Sequence, residues 1–425
     1  NMNGQRKGRL SLSQKQREKL LAQRKRCTGN GIEALNRLGS DNTFPVSELQ
    51  QDMWVLESLH NATSTSNIPC MYSVEHSSSK EHFDVAKLRR AMSCLIQRHE
   101  SLRTVFVNEE GQLKQRILTN VQYEIRETNL SDHNQEVVAL SLDEVIQQDI
   151  AEAFNVNIGP MFRVHIIRCS DTESKVVFVF SHLIFDGGSI AHFERDFFHF
   201  YLYSSSEQHS EETSEALPEL TVQPADYAHW LQQEPQKAKR ASHLAYWKTQ
   251  LAGCDVDLAL PYDRTPGIHN DVSVTQYEHV SPTRLTRWLK GGCTQTGTSL
   301  YSLLLATYGV LLHRITGQTD VAIASAFTNR NRSELEHLIG LFAREALLRV
   351  RLKQNDTFSS VKQSVQQCVI EAIDHSELSL GQINRELGMV KASQDGQVAR
   401  TLFLLREHKS QLGSQHNVEG WEPYG

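Results

Sequence analysis

The sequence is short of the features that would place it in several common classes. Its seven cysteines are scattered from Cys27 to Cys368, none stands in a C-x-x-C pair, and their number is odd. That spacing argues against a disulfide framework and against a zinc site, so reduced thiols are expected. Neither sign of charge dominates: 44 Lys and Arg stand against 50 Asp and Glu, a formal net of −6. Such a chain has no overall attraction for nucleic acid or anionic lipid, and polyanions drop out of the expected partners. No apolar run approaches the length that crosses a bilayer, and the first residues are rich in Lys and Arg without the apolar stretch of a secretion signal. A soluble, cytoplasmic protein is expected. At 425 residues the chain exceeds one ordinary core, which implies two lobes.

What is present centres on Lys175 to Tyr201. The β-branched and aromatic run Lys175-Val-Val-Phe-Val-Phe180 predicts a strand buried on both faces. It stops at Ser181-His182, and Gly187-Gly188 then breaks the chain. Ser189 is the expected N-cap of a helix whose apolar stripe is Ile190, Phe193, Phe197 and Tyr201. A strand end, a tight turn and a helix together hold polar side chains rigidly at a core edge. Here those side chains are Ser181, His182 and Asp186. Imidazole titrates near neutrality, so His182 suits a general base or proton relay, and Asp186 suits orienting the turn or pairing with a cation. The same residues also read as an ordinary structural turn, because neither H-x-x-x-D nor a glycine pair is specific.

The rest of the chain alternates helices and strands. The basic stretch to Arg26 suggests a short helix capped by Ser13, and Cys27 to Asn42 a linker. Ser47 and Asp84 are expected caps, the second opening a helix with the stripe Val85, Leu88, Met92, Leu95 and Ile96. Glu109-Glu110-Gly111 predicts a turn before a strand over Leu113 to Leu118, Ser141 to Phe154 a helix, and Phe162, Val164 and Ile166 a strand beside Val176 to Phe180. Ser and Glu crowd residues 204–219, the expected connection between lobes. Beyond it lie Pro224 to Trp230, a helix over Ser299 to Ile315 and a strand over Asp320 to Ala326. Arg98 and Arg103 flank His99 and Glu100 in a charge cluster, and a buried carboxylate such as Asp186 requires a cation.

Ser181 to Ser189, S-H-L-I-F-D-G-G-S, resembles the H-H-x-x-x-D-G-x-S signature of the condensation domains of non-ribosomal peptide synthetases, with Ser181 where the first His is usual. Arg98 to Phe106 matches that family's R-H-E-x-L-R-T-x-F without a departure. Phe44 to Leu56 is similar to its S-x-A-Q-x-R-x-W-x-L motif, with Asp52 where Arg is usual. Asp226-Tyr227-Ala228 with Trp230 resembles Y-x-D-Y-A-x-W, and Leu260-Pro261 with Asp263-Arg264 resembles L-P-x-D-R. Asn329 to Arg332 and Leu338 to Phe342 resemble R-N-R and I-G-x-F-V-N-T, with Arg344 and Glu345 where Asn and Thr are usual.

The resemblance implies an α+β fold of two chloramphenicol acetyltransferase-like lobes forming a V-shaped pseudo-dimer with a central tunnel. It divides the chain into a leader over 1–43, lobes over 44–203 and 221–425, and a connection over 204–220. Family members continue through further strands, so the second lobe is expected to be shortened at its C-terminus. The implied activity joins a carrier-bound acyl thioester to an amine. His182 would act on the nucleophile, Asp186 would lock the turn, and Gly187 would offer backbone N–H groups. The partner of Asp186 is expected to be Arg103 ahead of Arg98, with Ser181 and Ser189 supporting the turn. Gly340, Arg344 and Trp230 are the expected channel residues, with Arg344 and Glu345 either pairing with each other or altering what fits. No metal or cofactor of its own is implied, since phosphopantetheine arms arrive on upstream donor and downstream acceptor carrier proteins of a megasynthase. As an isolated domain it is expected to be monomeric, with no nucleic acid or membrane partner. Alternatives of the same fold are a terminal domain that releases or cyclises its product, an ester-forming variant, and a catalytically silent module recruiting a carrier or tailoring enzyme. An epimerase is disfavoured because no Ser-Trp follows the motif, and a heterocyclising domain because it would need Asp for His182. A Ser181–His182 nucleophilic couple is disfavoured because neighbours on a strand end point to opposite faces.

Overall fold

The computed structural model describes residues 31–35, 37, 42–59, 64, 66–75, 84–203, 217–262, 277, 279–389, 399–405 and 420–424. The basic leader up to 30, the Ser- and Glu-rich stretch 204–216 and Asp263-Arg264 lie outside them. The described residues pack as two compact units that are not consecutive in sequence: one takes those within 30–238 and 330–343 together with 420–424, the other those within 239–329 and 344–406. The packing therefore divides the chain differently from a cut between 203 and 221. Residues 221–238 bury Tyr227 and Trp230 with Leu335, Leu338 and Phe342 in one small apolar cluster of the first unit.

The first unit is built on strands β1 (Thr43–Pro45), β2 (Ile68–Glu75), β3 (Thr104–Glu109), β4 (Gln112–Ile117), β5 (Ile125–Asn129), β6 (Phe162–Arg168) and β7 (Glu173–Phe180). Its helices are α1 (Glu48–Leu59), α2 (Val85–Arg98), α3 (Gln135–Ala151), α4 (Ile190–Tyr203) and α5 (Pro224–Leu231). β7 is buried on both faces, as its apolar run dictates, because it lies between β2 and β6, antiparallel to each. β5 joins β6 in parallel, while β3 and β4 form a hairpin turning at Glu110-Gly111, flanked by β1. Trp421–Pro423, near the end of the chain, adds an antiparallel edge to β2, and Trp421 packs its ring on Phe197, Phe198 and Tyr201.

α2 begins where Asp84 accepts the Lys87 amide, and its stripe Leu88, Ala91, Met92, Leu95 and Ile96 is fully buried. Ser47 and Gln50 cap α1 reciprocally, each side chain bonding the other's backbone amide. α3 starts earlier than its apolar pattern suggested, because Asn134 accepts the Val137 amide and fixes the N-terminus there. α4 presses Phe193 and Phe197 edge-on to Phe178, with centroids 5.0 Å apart in both pairs.

The second unit pairs β8 (Asp320–Phe327) with β9 (Arg344–Arg351) antiparallel. The Ala324 amide donates to the Thr401 carbonyl and the Phe403 amide to the Ala324 carbonyl, a short parallel bridge beside β8. Helices Leu300–Thr316 and Phe358–Asp374 cover this pair, and Gly309 is required because a Cβ there would crowd Val350 to 2.8 Å. Mixed helix and sheet in both units makes the fold α+β.

Candidate active site

The turn after β7 is a compact hydrogen-bonded device. Asp186 caps the short turn Gly187–Ser189 by accepting the Ser189 amide at 2.9 Å, with the Ser189 hydroxyl answering toward the Asp186 amide. Asp186, not Ser189, is thus the cap: its extended backbone lets its carboxylate reach forward onto the first free amides, and Ser189 sits inside the helical turn. Phe185 is stacked flat on Phe180, ring centroids 4.2 Å apart, which ties the turn to the end of β7.

His182 is half-buried, and its Nδ1 lies 2.8 Å from the Phe185 carbonyl oxygen. A carbonyl only accepts, so Nδ1 must carry the proton, and a neutral ring then keeps its lone pair on Nε2. The turn therefore selects the tautomer that a base needs. Ser181 serves elsewhere: it is 2% exposed and its hydroxyl accepts the Leu183 amide, away from the imidazole. Gly187 is exposed, with open space where a Cβ would stand.

Asp186 is fully buried, and its cation is Arg330. The guanidinium donates Nη2 to Oδ1 at 2.8 Å and Nη1 to Oδ2 at 3.1 Å, and the Phe342 and Ala343 amides donate to Oδ2 at 2.9 and 2.8 Å. Burial alone would raise the Asp186 carboxyl, but Arg330 and these two amides outweigh it and hold it below the ordinary carboxylate value. The Ser189 hydroxyl receives Arg330 at 2.9 Å and the Gly340 amide at 3.1 Å, and lies within donating distance of Asp186 Oδ1 and the Gly340 carbonyl. Gly188 is a close approach, since a Cβ there would overlap Arg330. Residues 330–343 thus form a strap fastened across the turn.

This corrects the expected partner of Asp186. Arg103 donates to the Leu118 carbonyl at 3.0 Å and faces Glu100 at 3.5 Å, because the tight turn Glu100–Arg103 turns it back on its own hairpin. Arg98 pairs with Asp196 on α4 at 2.8 Å. Glu100 is held mainly by Arg37, which also pairs with Asp226. Of the expected channel residues, Gly340 is tied to Ser189 through its backbone. Trp230, 4% exposed, stacks on Tyr227 and lies under the Arg332 guanidinium. Arg344, in the second unit, is 3% exposed and donates to the Glu377 carbonyl, whereas Glu345 is exposed. The two do not pair, since neighbours on β9 face opposite sides. The six described cysteines are free, and among the described residues no group of three His, Cys, Asp or Glu is placed to hold a metal ion. No described helix is long and apolar enough to cross a membrane.

In an α+β fold, His182 is held by the Phe185 carbonyl of its own turn, and that turn is fastened by the buried Asp186–Arg330 pair. The family model described as "Condensation domain" matches residues 40–422, and the chain belongs to that family. It is 30% identical over 376 residues to a linear gramicidin synthase chain of Brevibacillus parabrevis, covering 88% of this chain and 7% of that one. Chondramide synthase cmdD of Chondromyces crocatus is 31% identical over 375 residues, covering 87% of this chain and 9% of the relative. The chain thus spans less than a tenth of the length of these two relatives. Among solved structures, the cyclization-docking bidomain of EpoB from Sorangium cellulosum superposes with a TM-score of 0.74 at 19% identity, covering 92% of this chain and 76% of that one. The X-domain from teicoplanin biosynthesis does so with a TM-score of 0.66 at 22% identity, covering 84% and 76%. The fold is that of condensation domains of peptide assembly lines.

Proposed function

We propose that this condensation domain joins an acyl group, delivered as a phosphopantetheine thioester on a donor carrier protein, to an amine presented by an acceptor carrier. A thioester is already activated, so the protein has to align two reactants, manage one proton and stabilise an oxyanion. The observation that carries this reading is the His182 tautomer set by the Phe185 carbonyl. His182 Nε2 accepts the hydrogen bond of the attacking amine and takes its proton as the N–C bond forms. The proton then passes to the departing pantetheine thiolate. Asp186 and Arg330 keep the turn in register and touch no reacting atom, while the exposed Gly187 backbone suits the developing oxyanion.

The test is a reconstituted reaction with loaded donor and acceptor carriers. Wild type forms amide, and His182→Ala lowers turnover by about 10²–10⁴-fold. No product from wild type with amine or hydroxyl acceptors, despite measurable carrier binding, would establish the recruitment module instead.

A further inference from the structure

The strap 330–343 is fastened to the first unit at a third place, away from Asp186 and Ser189. Arg195 on α4 donates Nη1 to Nδ1 of His337 at 3.0 Å. The rest of Arg195 is held still: its Nε donates to Asp196 Oδ1 at 2.6 Å, and Asp196 Oδ2 takes His99 at 2.7 Å and Arg98 at 2.8 Å. The remaining Arg195 nitrogen, Nη2, is buried and has no partner among the described residues, so the guanidinium has no alternative acceptor close by among them. A guanidinium only donates, and His337 Nδ1 must therefore be a lone pair. Protonating His337 replaces that acceptor with a donor and sets two cations 3.0 Å apart.

We propose that Arg195 and His337 are positioning residues, a proton-sensitive clasp that seats the strap on α4 and, through the strap, keeps Arg330 on the Asp186 turn that carries His182. The consequence for turnover rests on the acyl-transfer reading above; the clasp itself does not.

The groups facing His337 fix the sign. Burial, then Arg195, lower its affinity for a proton, with Arg98 adding to them and Glu336 and Asp196 opposing. His192, edge-on to it at 6.1 Å, is lowered to about 3 by burial and then by Arg330 and Arg195, so release of the strap frees it to take a proton as well, and it adds to the same acid dependence. The seated strap disfavours protonated His337 and the released strap accepts it. Seating is thus complete above the ordinary imidazole pKa and weakens as pH falls below it.

The test follows amide hydrogen exchange of residues 330–343 in the full chain, as protection factors corrected for intrinsic rates, alongside the pH profile of turnover. On going from about pH 7.5 to about pH 5.5, wild type is expected to lose about tenfold in strap protection. His337→Gln, whose amide oxygen accepts from Arg195 without titrating, keeps more protection than wild type at the lower pH, the remaining loss belonging to His192, and shows a smaller acid fall in turnover, the remainder belonging to the base His182. His337→Ala is poorly protected at both. Protection in wild type that does not depend on pH, or an acid loss of protection as large in His337→Gln as in wild type, overturns the clasp. Exchange as expected with no amide formed by any variant leaves the clasp standing and removes the acyl-transfer reading.

Discussion

Asp186 and Arg330, 144 residues apart in sequence, meet in a two-pronged ion pair whose side chains are 0% and 7% exposed. Several features of the turn lean on it: the Ser189 hydroxyl bonds the same guanidinium, the Phe342 and Ala343 amides bond the same carboxylate, and Gly188 makes room for both.

Removing the cation leaves a buried carboxylate without its main partner. Arg330→Ala is expected to cost about 3–5 kcal/mol in unfolding free energy, measured by denaturant titration, and to cut turnover. Arg330→Lys recovers only part of this, since an ammonium cannot reproduce the paired geometry. A loss below about 1 kcal/mol would show that the pair contributes no more than an exposed one.

Arg103→Ala separates the two candidate cations. Its side chain is 20% exposed and holds a carbonyl and a distant Glu100, so the expected cost is about 1 kcal/mol with turnover nearly unchanged. A loss matching that of Arg330→Ala would return Asp186 to Arg103.

Gly188→Ala adds one methyl group where Arg330 now lies. The guanidinium must shift off Asp186, and turnover is expected to fall by about 10²-fold, because small displacements of a positioned group are costly. Unchanged kinetics would mean that the turn tolerates a displaced Arg330.

The ion pair also sets a pH dependence. Asp186 is held below its unfolded value, so its contribution is complete above the unfolded carboxyl pKa of about 3.9 and is lost as pH falls through the folded value. The stability advantage of wild type over Asp186→Asn should therefore be constant near neutrality and shrink in acid below about pH 4. An advantage that does not change down to about pH 3 contradicts the assignment of the charge to Asp186.

Much of the first unit was legible because it rests on local pattern. The β7 run, the Asp84 cap, the stripe of α2 and the hairpin at Glu110-Gly111 follow from neighbours in sequence, and the structure has them. β2 was not foreseen, since Ile68–Glu75 mixes polar and apolar residues on a strand that is only partly buried. At the site, His182 and Asp186 stood out as polar residues at a strand end, and the resemblance of the S-H-L-I-F-D-G-G-S stretch to the family signature gave them their roles. The identity of the cation was not: burial of Asp186 demanded one, but the nearest charged motif offered Arg103, while Arg330 arrives through a long-range return of the chain. A signal for it did exist in Asn329-Arg330-Asn331-Arg332 followed by Leu338-Ile339-Gly340. The bonds from Ser189 and Asp186 to the backbone of residues 340, 342 and 343 have no signature in side-chain identity, because any residue supplies an amide.

Acceptance of the amine's proton requires a bare Nε2 on His182, and nitrogen-15 NMR of histidine-labelled protein, read on the neutral ring, shows directly which nitrogen is bare. The bond to the Phe185 carbonyl predicts that the neutral ring carries its proton on Nδ1 and leaves Nε2 bare. A ring protonated on Nε2 would contradict it, since the bond to the Phe185 carbonyl would then be missing and no base would face the incoming amine.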